Sequence, residues 1–432
     1  MLDELRTAAR KLQGERSLRN VLIHCRRLIS ERGAANSTVI ARALVAGFEA
    51  LPEEQRARFF EHLSSDFSPD PKAVLKVAQA YAADPSAPNL LHLTQVAEPP
   101  RQELLRRINR SPGGTASIVA MRRELLPRIS KHPELRVVEA DFLHLLSSWF
   151  NPGFLQLQRV DWNSPAQLLE QIIRHEAVHQ IDGWDDLRRR LKPDRRCFAF
   201  FHPQLPDEPL IFVEVALLPE MPNAIAPLID KASAALAPKQ FKVAAFYSIS
   251  NCQPGLRGVS LGDFLIKRVA EALKREMPQL KTFCTLSPIP GFAKWLVSGA
   301  PCEGLPKARA ARLAQTYNSL LDARGGDLAS LGTLPALRAL PSESSEALLR
   351  LCAFYLGLHA TSRGGDPVAR FHLDNGARLE RLNPLADLSA KGLKQSFGLM
   401  VNYLYDLDKV EAHHEKFTLG EVAQSRALTS ML

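Results

Sequence analysis

Near Arg196 the chain changes texture, and that change limits what it can fold into more than any other feature. Up to about residue 148, apolar residues recur every three or four positions between turn signals, as in NSTVIARALVAGFEALP, PEEQRARFFEHLSSDF and PKAVLKVAQAYAADP. That period lays one apolar stripe along a helix, so an all-helical region is expected. After Arg196 come short β-rich runs, CFAFFH, EPLIFVEVALL, KVAAFYSISN and LKTFCTLS, each of strand length. The third leads through QPGLRGVSLGD into a segment where Leu261, Leu265, Val269 and Leu273 share a helical face. The second region therefore reads as α/β. Residues 303–365 return to helical texture as an insertion, before FHLDNGARL and GLMVNYLYDL finish the sheet. A chain of 432 residues exceeds one ordinary core. The expectation is an α+β protein with an all-helical domain over 1–148 and an α/β domain over 149–432.

Between the two textures a helix is expected to open at Asn163-Ser164-Pro165, with Ser164 as cap, Pro165 at the first position and Gln167 completing a capping box, and to run through LLEQIIRHEAVH. It carries His175-Glu176-Ala177-Val178-His179, an H-E-x-x-H whose spacing puts both imidazoles on one helical face, as a zinc protease requires. A third ligand is not evident. Asp182, Asp185 and Asp186 follow, but no H-x-x-G-x-x-H continuation does.

The formal charge of +9 comes from 55 basic against 46 acidic residues spread along the chain. It suits a polyanionic small ligand as well as nucleic acid, but a nucleic-acid binder concentrates Lys and Arg on one element with interleaved aromatics. The nearest approach is Arg188, Arg189, Arg190, Lys192, Arg195 and Arg196, read as a solvated helix end, with a phosphate-contacting patch as the alternative. Cysteines 25, 197, 252, 284, 302 and 352 stand far apart without a CxxC pair, which reads as reduced thiols. The start, MLDELRTAARKLQ, looks like neither a secretory signal nor a mitochondrial presequence, and Ser430-Met431-Leu432 matches a peroxisomal tripeptide only loosely. The apolar run LIFVEVALL is about half a membrane span and contains Glu214. No membrane insertion and a cytoplasmic location are expected.

Three segments could carry chemistry. Gln253 to Asp263 joins a strand to a helix through Gly255, Gly258 and Gly262. Glycines allow close backbone approach, a helix start favours phosphate, and Arg257 adds a charged donor. Plain turn chemistry accounts for such a segment equally well, and it is neither a P-loop nor a dinucleotide fingerprint. In Thr285-Leu286-Ser287-Pro288-Ile289-Pro290-Gly291-Phe292 two prolines stiffen a turn that would aim the Ser287 hydroxyl. Ser287 could equally cap that turn. His372, beside what looks like an Asn375-Gly376 tight turn, is the third candidate, with a structural role as its alternative.

Together these segments resemble the malonyl-CoA decarboxylase family. The likeness rests on SSWFNPGFL, EAVH, DLRRRL, FYSIS with QPGLRGVSLGDFLIKRV, TLSPIPGFAKWL, FHLDNGA and KGLKQSFGLMVNYLY, which occur in order between residues 147 and 405. The helical N-terminal region matches by texture only. The resemblance implies a GNAT acetyltransferase-like catalytic domain that takes malonyl-CoA to acetyl-CoA and CO₂ in fatty acid metabolism, without a metal or organic cofactor. It implies a homo-oligomer, dimer or tetramer, with no nucleic-acid or membrane partner. Arg257, Gly258, Val259, Ser260, Leu261, Gly262 and Asp263 would line the CoA site, although some members carry Glu where Ser260 stands. The family's catalytic serine falls on Ser287 and its catalytic histidine on His372, with Tyr405 matching a tyrosine near the site. The family needs only EAVH and not the preceding His. A CoA-dependent acyltransferase is the second reading, followed by a CoA-binding regulator and a zinc protease.

Overall fold

A computed structural model describes residues 2–30, 36–259, 261, 265–302, 305–359 and 365–432. The chain divides into two compact units. The first takes residues 1–155 with two later excursions, 202–207 and 253–261. It contains α1 (Leu2–Ile29), α2 (Ser37–Glu49), α3 (Glu53–Ser65), α4 (Pro71–Ala83), α5 (Ala87–Ala97), α6 (Pro100–Asn109), α7 (Gly114–Leu125) and α8 (Arg136–Trp149). The three-to-four-residue spacing does its work here. Leu18, Val21, Leu22, Cys25 and Leu28 of α1 and Ile40, Leu44 and Phe48 of α2 are buried, and Phe48, Phe59 and Phe60 form a ring cluster with centroids 4.9–5.8 Å apart. By contrast α4 and α5 bury no residue.

The second unit is built on a mixed sheet of β1 (Gln156–Val160), β2 (Arg195–Phe201), β3 (Ile211–Leu218), β4 (Val243–Asn251), β5 (Thr282–Thr285), β6 (Ser287–Pro288), β7 (Arg378–Asn383) and β8 (Met400–Leu404). Among the described residues the order is β1-β2-β3-β4-β5-β8-β6, with β7 also on β8. Among the described residues β4 and β5 are the one parallel pair of strands, besides an isolated parallel bridge between Leu379 and Gln424. The helices of this unit are α9 (Ala166–His175), α10 (Gly183–Arg190), α11 (Ala226–Ile229), α12 (Leu265–Glu276), α13 (Phe292–Val297), α14 (Lys307–Ala323), α15 (Leu334–Arg338), α16 (Ser342–Phe354), α17 (Pro367–Asp374), α18 (Ala390–Ser396), α19 (Val410–Thr418) and α20 (Arg426–Thr429). Alternation along β2 sends Cys197, Ala199 and Phe201 into a core with Leu169 and Ile172 of α9 and Leu187 of α10. On the opposite face the Arg268 guanidinium of α12 lies 5.3 Å from the Phe200 ring centroid. Helical N-terminal region, mixed sheet domain and helical insertion are thus all as expected. No helix among the described residues is long and apolar enough to cross a membrane.

Three local expectations need correction. FHLDNGARL does not simply finish the sheet. Asp366 accepts the N–H groups of Val368 and Ala369 at 3.0 and 3.1 Å and Pro367 takes the first turn, so Phe371–Asp374 completes α17 and only Arg378 onward is strand. The Asn-Gly pair is the stop of that helix, with Gly376 at φ +76°.

The helix expected to run through EAVH ends at His175. Glu176 turns its carboxylate onto the N–H groups of Val178 and His179, both at 2.8 Å, which replaces continued helix by a side-chain turn. Ser164 caps nothing and instead accepts the Asp161 N–H at 3.1 Å.

The basic run is largely interior rather than a solvated end or a phosphate patch. Arg189, Arg190 and Arg195 are buried because acids stand ready for them. Arg189 and Arg195 both hold Asp194, and Arg190 bridges Asp186 at 3.0 Å and Glu214 at 2.9 Å. Burial pushes the Glu214 carboxyl upward and the Arg190 guanidinium opposes it. Arg190→Met would strand both carboxylates away from water, so it should destabilise the fold by about 3–5 kcal/mol in urea titration, and a loss under about 1 kcal/mol would contradict the pairing.

Candidate active site

Strand β4 carries β3 along one edge to its end, but β5 along the other only as far as the Phe246–Thr285 pair. Beyond that point the chain of β5 leaves β4. Leu286 still donates to the Phe246 carbonyl at 3.0 Å, and then Ser287 and Pro288 pair with Val401 and Met400 of β8 instead. At the same level the β3–β4 register shifts, leaving Tyr247 without a counterpart as a bulge. The parted strands open a cavity of about 310 Å³ lined by Phe246, Tyr247 and Ser248 on one side and by Ser287, Phe371 and His372 on the other.

Ser287 and His372 are brought together although 85 positions separate them. The Ser287 Oγ lies 3.0 Å from His372 Nε2 and donates to Thr285 Oγ1 at 2.8 Å. On the far side of the ring, His372 Nδ1 lies 2.9 Å from the Tyr405 hydroxyl, and the ring face stacks on Tyr403 with centroids 4.6 Å apart. With the serine proton spent on Thr285, the Ser287 oxygen accepts from Nε2–H, which leaves Nδ1 to accept from Tyr405. The order is a directed chain, Tyr405 to His372 to Ser287 to Thr285. Burial pushes the His372 imidazole down to about 3 and the Tyr405 phenol up. Both are therefore neutral near neutral pH.

The scaffold of this pair is Asp366, which the sequence reading missed. Its Oδ1 starts α17, while its Oδ2 accepts the Gly291 N–H at 3.0 Å and faces the Tyr355 hydroxyl at 3.4 Å. One buried carboxylate thus ties the Ser287–Gly291 turn to the helix bearing His372. Gly291 is required there, since a Cβ would come within 2.1 Å of the Tyr355 hydroxyl. The signal that could have found it is the Asp366-Pro367 pair, a helix start that begins five residues before FHLDNG. Ser248 was missed too. Its hydroxyl lies 2.7 Å from both oxygens of Glu176.

The expected CoA segment belongs to the first unit. Arg257 and Gly258 are exposed, whereas Val259 and Leu261 are 7% and 5% exposed, so only their backbone could face a ligand. Ser260, Gly262 and Asp263 lie outside the described residues. The H-E-x-x-H loses its geometry with the helix. His175 ends α9 and His179 follows a turn, where burial pushes its imidazole down to about 4. Among the described residues no group of three or more His, Cys, Asp or Glu could hold a metal ion.

Histidine NMR gives a direct check of the site. Because the His372 ring sits at about 3, its signals should show a neutral, Nε2-protonated ring that does not titrate between about pH 5 and 8. A titration near 6.5, the ordinary histidine value, would contradict the buried relay.

Comparison with known proteins bears on the same segments. Residues 67–150 match the malonyl-CoA decarboxylase N-terminal domain profile and residues 153–432 the C-terminal domain profile. The mouse (Mus musculus) protein named malonyl-CoA decarboxylase, mitochondrial, is 40% identical over 322 residues, 71% of this chain and 65% of that protein. The match thus spans just under two thirds of its length. The goose (Anser anser anser) protein of the same name is 35% identical over 88% of this chain and 79% of its own. The crystal structure of malonyl-CoA decarboxylase from Rhodopseudomonas palustris superposes with a TM-score of 0.84 at 47% identity, covering 96% of this chain and 99% of that one. The relatives named mitochondrial overturn the expected cytoplasmic location, which rested on thiol usage and on the composition of the first residues. Separated reduced thiols fit any reducing compartment, so they never favoured the cytoplasm over the mitochondrial interior. From the two domain profiles, the goose relative and the solved structure, this chain belongs to the malonyl-CoA decarboxylase family.

Proposed function

We propose that the protein decarboxylates malonyl-CoA to acetyl-CoA and CO₂, with Ser287 and His372 as the catalytic pair and without a metal or organic cofactor. The observation that carries this reading is the 3.0 Å contact between Ser287 Oγ and His372 Nε2 at the wall of a cavity made by parting strands. Loss of CO₂ leaves an enolate whose charge the thioester shares between C2 and oxygen. Catalysis then needs an oriented carboxylate, a donor for the oxyanion and a proton for C2. With substrate bound, the Ser287 hydroxyl turns from Thr285 and donates its one proton to the malonyl group. His372 supplies the proton from Nε2–H and draws on the Tyr405 hydroxyl through Nδ1. The thioester enolate carbon is a far stronger base than imidazole or phenol, so a neutral relay suffices. The single negative charge that enters as the malonyl carboxylate leaves when solvent reprotonates the relay.

Arg257, Gly258, Val259 and Leu261, together with Ser260, Gly262 and Asp263, hold the CoA phosphates, supported by the exposed Arg257 and the glycine backbone of that segment. The helical domain is taken as residues 1–148 and the catalytic domain as 149–432. A homo-oligomer, dimer or tetramer, is supported by the exposed Leu75, Leu90 and Leu91 on two helices that bury nothing. The internal pairing of Arg189, Arg190 and Arg195 supports the absence of a nucleic-acid partner.

Ser287→Ala and His372→Asn should each lower kcat on malonyl-CoA by roughly 10² or more, with the double mutant little worse than the poorer single. Multiplicative losses would break the coupling, and near-normal turnover in either single mutant would remove the site. Protein dialysed against a strong chelator should keep its decarboxylation rate and hold only substoichiometric zinc. Stoichiometric zinc whose removal abolishes turnover would revive a metal site at the H-E-x-x-H.

A further inference from the structure

The backbone of residues 255–257 is held by Arg122 of α7, which is 1% exposed. Its Nη1 donates to the Gly255 carbonyl and its Nη2 to the Arg257 carbonyl, both at 2.7 Å. Its remaining donors grip the two oxygens of Glu139 on α8 at 3.0 and 2.6 Å. Three residues earlier on the same helix, the Val119 carbonyl lies against Gly255 so closely that a Cβ there would approach to 2.1 Å. Positions three apart share a helical face. One face of α7 therefore carries both the packing and the charge that hold residues 254–258.

Direction is the consequence of this contact. The Arg257–Gly258 peptide is trans, so its N–H points opposite to its carbonyl. With the carbonyl drawn onto a buried guanidinium, the Gly258 N–H faces away from α7, and the charge-assisted bond polarises the peptide toward a stronger donor. Gly258 is exposed and at φ +81°, a conformation that leaves this N–H open to a ligand.

We propose that Arg122 is a positioning residue for CoA recognition. Buried itself, it holds the 254–258 backbone so that the Gly258 N–H and the Arg257 side chain meet the phosphates of the substrate. This rests on the reading of residues 257–263 as the phosphate segment.

Steady-state kinetics on malonyl-CoA and on malonyl-pantetheine, which keeps the malonyl thioester but lacks the nucleotide, separate these roles. Arg122→Leu should raise KM for malonyl-CoA about tenfold or more, with kcat within about threefold and kcat/KM on malonyl-pantetheine within about twofold of wild type. Glu139→Gln, which loosens Arg122 without baring the loop carbonyls, should shift the same ratio in the same direction by less, and it carries the test if Arg122→Leu does not fold. Equal losses on both substrates would reduce Arg122 to support of the fold, and an unchanged KM for malonyl-CoA in the folded variant would overturn the proposal. Calorimetric binding of free CoA reads the segment without turnover. Weaker CoA binding by Arg122→Leu in a protein that does not decarboxylate would sink the proposed function and leave this inference standing.

Discussion

A sheet strand needs partners for both rows of its backbone groups, and β4 has them on both edges only up to Phe246. Everything specific to the site follows from the place where β5 departs. The departing chain is held by β8 through Ser287 and Pro288 rather than left loose, and the bulge at Tyr247 bends β4 at the same level. A gap forms inside the sheet without fraying it. The gap is lined by residues carried on strands and on α17, among them Ser287 and His372, and such rigid elements are what precise placement of a hydroxyl and an imidazole requires.

The second constraint is dryness. Ser287, His372, Tyr403 and Tyr405 are all buried, and burial alone depresses the imidazole. A charged histidine would be the costlier form in such a place. Neutral donors in series, each satisfied by the next, are the low-cost arrangement there, and they suit a reaction whose charge arrives with the substrate. The Asp366 carboxylate accepts from both halves of the site, so that the distance between Ser287 and His372 is set by one anchor.

Much of this was legible from the chain. Strand runs such as KVAAFYSISN show because β-rich composition and length are local signals, and the stiff SPIPGF turn shows because proline acts locally. The pairing of Ser287 with His372 was not visible in local texture, since each residue alone reads as ordinary turn or core. Only resemblance joined them. The misread parts were those decided at long range or by a competing side chain. Glu176 stopped a helix by taking backbone N–H groups, and Arg190 went inside because Glu214 waits on β3. Arg122 carries no local signal, because besides Glu139 its partners are backbone carbonyls 133 and 135 positions away.

The proposed reaction removes CO₂ from a malonyl thioester with protein groups alone and puts a proton on C2. The most direct measurement is incubation of the purified full chain with malonyl-CoA in ²H₂O, with no acceptor present, followed by mass spectrometry of the thioester and quantification of CO₂. Acetyl-CoA bearing a single deuterium, formed in step with the CO₂ released, is the expected result. Release of no CO₂, with the malonyl group moving intact to an amine once one is added, would contradict it.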